Sequence, residues 1–161
     1  MNSTRRLPRR ILSAFALTVA AAALAGCSLL ESVVSGVPEG EADVFTLAVG
    51  DCLNDLSSPD EVTSVPTVDC SEPHDSEVFA RSDSTATEFP GDQALFDELD
   101  AFCQGDAFTQ FVGIPYADSI YGTSGYVPTQ ASWVSNNDRE LLCTIGDPNG
   151  QTTGSLAGIN Q

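Results

Sequence analysis

Residues 92–111 read DQALFDELDAFCQGDAFTQF, and this stretch decides the fold. Leu95, Leu99, Phe102 and Cys103 recur at i, i+4, i+7 and i+8, a spacing that lines them up as one apolar stripe on an α-helix. Asp92 follows Pro90 and Gly91 and is placed to cap the N-terminus. Asp97, Glu98 and Asp100 add negative charge to the early turns, where the helix dipole favours it. The stripe aims the Cys103 sulfur into the core. Gly105 weakens the helix, while Ala107, Phe108 and Phe111 are expected to carry it on toward Gly113 and Pro115.

On either side of that helix the chain reads as short β-prone runs. Residues 44–47 (VFTL) form one, and 49–52 (VGDC) turn out of it. Residues 62–70 (VTSVPTVDC) are rich in β-branched side chains, with Pro66 confined to a strand start, an edge or a bulge. Residues 71–75 (SEPHD) read as a turn, 77–80 (EVFA) as another strand and 82–90 as a loop. Residues 114–128 carry Tyr116, Tyr121 and Tyr126 among glycines, an ordered loop packing aromatic faces. Residues 131–134 (ASWV) and 139–145 (RELLCTI), joined by Ser135-Asn136-Asn137-Asp138, read as a β-hairpin. Little apolar content follows, so 147–161 is expected to be a flexible tail. The fold class is therefore α+β: a small, mainly antiparallel sheet with one main helix packed on it, in a domain spanning 44–146.

The N-terminus sets the address. Arg5, Arg6, Arg9 and Arg10 precede an uncharged run over 11–26 and then Cys27, the layout of an exported leader. Sixteen residues are short for a spanning helix. Leu24-Ala25-Gly26-Cys27 resembles the lipobox of bacterial lipoproteins. That resemblance implies removal of residues 1–26 and a thioether-linked diacylglycerol, with acyl chains such as palmitate, on Cys27. Residues 27–43 then read as a lipidated flexible tether of Gly, Pro and acid, holding the domain at the outer face of the cell membrane. The four leader arginines leave with it. What remains carries Arg81 and Arg139 against 23 acidic residues and has no lysine, a formal charge of −21 compared with −17 for the whole chain. Such a surface repels nucleic acid and anionic headgroups, since binding them needs cations to displace counterions.

Setting Cys27 aside, four cysteines remain: Cys52, Cys70, Cys103 and Cys143. An even number in an exported chain reads as two disulfides. Three pairings are open to four cysteines. Joining neighbours along the chain gives Cys52 with Cys70 and Cys103 with Cys143, closures worth roughly 3 and 4 kcal/mol on loop entropy. No C-x-x-C spacing points to zinc or to a thioredoxin-type centre.

Chemistry-bearing residues are few. His74 is the only histidine. A hydrolase triad would need a nucleophile elbow, and no Gly-x-Ser-x-Gly is present; one histidine among acids is not a metal constellation. A turn histidine held by hydrogen bonds is the reading that its context favours. Arg139, one of two cations in an acidic chain, is expected in a partly buried ion pair, with Trp133 on the other side of the turn.

Taken together, Val49-Gly50-Asp51-Cys52, the run VPTVDCSEPHDSEV over 65–78, a helix bearing Cys103, and Pro128 ahead of Trp133, Arg139 and Cys143 resemble the septum-formation domain of actinobacterial envelope proteins. Gly-Asp-Cys and Cys-x-x-Pro-His are the most specific pieces. The resemblance implies an exported or membrane-anchored protein linked to building the division septum, and it brings no catalytic activity, cofactor or metal. Where the family commonly has glycine between its Trp and Arg, this chain has Asn136-Asn137-Asp138, residues that tolerate the same positive φ. The expectation is a non-enzymatic binding or scaffold module, lipid-anchored through Cys27, that engages a protein or cell-wall partner through Pro73, His74, Asp75, Trp133 and Arg139. An enzyme acting on cell-wall polymer and an acidic cation-binding surface protein are the alternatives.

Overall fold

The computed structural model describes residues 40–55 and 63–161; the leader, Cys27 and most of the expected tether lie outside the described residues. Six strands form one antiparallel sheet: β1 (Glu41–Asp43), β2 (Cys52–Leu53), β3 (Ser64–Val68), β4 (Ser76–Asp83), β5 (Gly122–Tyr126) and β6 (Glu140–Gly146), in the order β1-β3-β2-β4-β6-β5. Among the described residues three α-helices accompany it: α1 (Asp92–Cys103), α2 (Asp106–Val112) and α3 (Gln130–Ser135). The fold class is the α+β arrangement read from the sequence, and the disulfides are Cys52–Cys70 and Cys103–Cys143.

β6 shows how the sheet divides the core. Its side chains alternate across the pleat, so Leu141, Cys143 and Ile145 meet Leu95, Leu99, Phe108 and Trp133 under the helices, while Leu142 joins Leu47, Leu53, Val65 and Val78 on the opposite face. Burying each such leucine or valine contributes roughly 1.5–3 kcal/mol. In β4 the register shifts between Val78 and Ala80, leaving Phe79 as the extra residue of a bulge. The bulge turns Phe79 to the helical side, where its ring meets Phe108 edge-on at 6.0 Å and Phe111 at 5.6 Å.

Pro66 sits inside β3, against the end of its neighbour. Asn54 N–H donates to the Pro66 carbonyl (3.0 Å) one residue beyond the end of β2, and the proline ring has no N–H to return a bond.

Several local expectations are corrected. Residues 44–46 form a 3-10 turn and not a strand, capped by the Asp43 carboxylate accepting from Phe45 N–H, and the sheet begins earlier, at Glu41. The N-cap of α1 falls one residue ahead of the expected one: Gly91, at φ 94°, is the N-cap and Asp92 is the first helical residue. The single long helix is two, because the chain turns at Gln104 and Gly105, where a Cβ on residue 105 would press on the Ala101 carbonyl at 3.0 Å. Residues 131–134 are helical rather than extended. Thr129 Oγ1 accepts from Ser132 N–H while Ser132 Oγ accepts from Thr129 N–H, a reciprocal capping box (3.1 Å each) that fixes a helix start after Pro128. The aromatic loop contains β5, a full strand paired with β6.

The largest correction is at the C-terminus. Residues 147–161, expected as a flexible tail, are packed against the domain. Leu156 is buried in the helical-side core, Gly158 and Asn160 N–H groups donate to the carbonyls of Phe111 (2.7 Å) and Val112 (2.9 Å), and Gly154 N–H donates to Cys70 (2.6 Å). Backbone hydrogen bonds replace the apolar content that the segment lacks.

Candidate functional site

The turn after Cys70 is built from its own side chains first. Asp69 accepts the Ser71 N–H (2.8 Å), which holds its carboxyl below the ordinary carboxylate range, and Glu72 N–H closes the turn on the Asp69 carbonyl (2.8 Å). His74 then enters the interior with no exposed surface. Its Nδ1 faces the Glu72 carbonyl at 2.9 Å and must carry the proton there, since a carbonyl only accepts. Nε2 is left to accept from the Thr152 hydroxyl at 3.1 Å, and the two backbones exchange a pair of hydrogen bonds at 3.0 and 2.9 Å.

The same seam continues one strand further. Glu77, 1% exposed, accepts from Ser155 Oγ and from Leu156 N–H, both at 2.7 Å. Gln151 Nε2 donates to Asp75 Oδ1 and to Asn54 Oδ1, each at 3.0 Å. Across the sheet, Asp55 accepts from Ser76 Oγ and from the Tyr126 hydroxyl, each at 2.8 Å. Burial, reinforced by the Asp55 charge, pushes the Tyr126 phenol well above its ordinary range, so it remains a donor. Glu77, Cys52 and Cys70 bring three ligand-type atoms together, but the two sulfurs are bonded to each other and hold no lone thiolate for a metal.

Trp133 and Arg139 come together as a stacked pair. Trp133, buried on α3, packs its ring edge-on to Phe89 at 5.7 Å and carries the Arg139 guanidinium 3.6 Å over its centroid. Arg139 Nη1 donates to the carbonyls of Trp133 (3.1 Å) and Asp138 (2.7 Å). The ion pair expected of Arg139 is formed instead by Arg81, with Glu140. Burial pushes the Glu140 carboxyl up despite Arg81, and the nearby Asp138 and Asp83 add to the rise. Asn137 takes φ 54°, a positive value of the kind that Asn in this turn was expected to tolerate.

Of the five residues expected to meet a partner, His74 and Trp133 are thus buried and Asp75 and Arg139 half-buried, leaving Pro73 in solvent beside Ser71 and Glu72. His74 and the Trp–Arg pair are held in the fold by these contacts. A concave surface lies between β4 and the corner where α1 meets α2. It is a groove of about 590 Å³ with Phe79, Phe102 and Phe111 in its lining, Val49 and Arg81 on one flank and Asp106 and Gln110 on the other. Phe102 belongs to the helical stripe, but the groove also needs the α1–α2 corner, signalled in the sequence only by Gly105, and the β4 bulge, which has no local signature.

A family model described as septum formation matches residues 49–161, so the match takes in the C-terminal segment that clamps His74 and Glu77. The chain belongs to that family, which links it to septum formation. Comparison with curated proteins and with solved structures returned no match.

Proposed function

We propose that this member of the septum-formation family is a non-enzymatic binding module, anchored by lipid on Cys27 at the outer face of the cell membrane, that holds a protein or cell-wall partner where the septum is built. The observation that carries the reading is the open groove beside β4. It pairs an aromatic floor with a polar rim, the combination by which concave sites gain affinity from apolar area and orientation from a few polar groups. Three of the groups that would suit acid–base work are engaged in holding the fold: both nitrogens of His74 and both oxygens of Glu77 and of Asp55 have structural partners.

The test follows the tagged full chain through division. The wild type is expected to concentrate at the septum, Cys27→Ser to leave the membrane, and Ala101→Trp, which fills the groove from an exposed position on α1, to spread evenly while keeping its melting temperature. An even distribution of the wild type, or septal enrichment undiminished in Ala101→Trp, refutes the proposal.

A further inference from the structure

The two edges of the sheet are treated differently. β1, at one end, is three residues long and two of them are acidic, the short and charged form in which natural sheets protect an edge. β5, at the other end, is five residues (GTSGY) without charge, proline or bulge, paired on one side to β6 in continuous register. Among the described residues no hydrogen bond outside the β6 ladder reaches the backbone of residues 122–126. The strand lies within residues 119–137, which contain no Asp, Glu, Lys, Arg or His, in a chain of formal charge −17. Ile120, just before the strand, is 60% exposed.

We infer that the outer edge of β5 pairs antiparallel with β5 of a second copy of this chain, joining two six-stranded sheets across a two-fold axis. Two copies so acidic repel one another over most of their surface. The stretch through β5 brings no charged side chain of its own to the edge, and the Asp55 carboxylate beside Tyr126 is already held by the Tyr126 and Ser76 hydroxyls. Antiparallel strand pairing is compatible with two-fold symmetry, so one surface serves both partners. Ser124, exposed at the middle of β5, comes opposite its own counterpart in the centred register. This interface goes beyond the proposed groove and does not depend on it.

Cross-linking in intact membranes tests the pairing with the full chain. Ser124→Cys is expected to yield a covalent dimer on a non-reducing gel, since cross-strand partners stand about 4.5–5.5 Å apart at Cβ. Thr87→Cys, also exposed, in the loop before α1, is expected to stay monomeric. Purified full chain in mild detergent should dimerise with rising concentration by sedimentation, and Ser124→Asp, which sets two carboxylates opposite each other, should weaken the dimer by about tenfold or more at an unchanged melting temperature. A wild type that stays monomeric at every concentration, equal cross-linking of the two cysteine variants, or cross-links from residue 124 only to a different protein would overturn the inference.

Discussion

Removing the Glu77 carboxylate should release the C-terminal segment, and the size of the effect follows from its two bonds. Glu77→Ala deletes two short hydrogen bonds to a charged acceptor and leaves the buried Leu156 N–H with nothing to donate to. Bonds to charged groups are worth roughly 1.5–3 kcal/mol each, and removing a buried carboxylate returns part of that by ending its desolvation, so a net loss of about 3 kcal/mol is expected. Glu77→Gln behaves differently. Its Oε1 can still accept from Leu156 N–H, and its Nε2 can donate to Ser155 Oγ, because a hydroxyl both donates and accepts. Its cost should be about 1 kcal/mol. Melting temperatures of the full chain would read these as drops of about 10 °C and 3–4 °C for a domain of this size. Hydrogen exchange adds a local readout: the Leu156 amide should lose protection in Glu77→Ala and keep it in Glu77→Gln. Equal destabilisation by the two variants, or a protected Leu156 amide in Glu77→Ala, would refute the clamp.

Three further outcomes are expected. The Glu140 carboxyl titrates higher in the folded state than in the unfolded chain, so its contribution to stability is greatest at acid pH and is lost as pH rises from the ordinary carboxylate range through the folded value; the melting temperature of Glu140→Gln relative to wild type should therefore climb between pH 4 and pH 7, and a fall would contradict the burial argument. Gly125→Ala puts a Cβ into the Leu142 carbonyl oxygen of β6, a backbone atom that cannot swing aside, and should cost about 2 kcal/mol or more by urea unfolding, against less than about 0.5 kcal/mol for Ser124→Ala on the exposed face. Reduction of both disulfides removes loop constraints worth roughly 3 and 4 kcal/mol and should lower the melting temperature by more than about 10 °C; an unshifted melt would remove the staples from the account of stability.

What the sequence made legible was local. The stripe Leu95, Leu99, Cys103 needs only the helical period to be read, and the structure buries those three residues. The disulfides join cysteines 18 and 40 residues apart, near enough in the chain for sequence proximity to guide the pairing. The capping box Thr129 to Ser132 was equally local, but the β-prone pair Trp133 and Val134 masked it. The missed features depend on long separations. β5 has little side-chain signal, since two of its five residues are glycine and one of them, Gly125, lies where a Cβ would strike β6, and His74–Thr152, Glu77–Ser155 and Asp55–Tyr126 bridge 78, 78 and 71 residues with polar atoms alone. This bears on function as much as on fold. A lone histidine, a buried glutamate and an aspartate–tyrosine pair suggest chemistry in a sequence, yet each lies at a joint where distant segments with too few apolar residues are closed by hydrogen bonds. With those groups committed to the fold, the proposed contacts with a partner and with a second copy rest on surfaces that need no special residue type: an aromatic groove opened by a helix corner and a bulge, and an uncharged strand edge in an otherwise acidic protein.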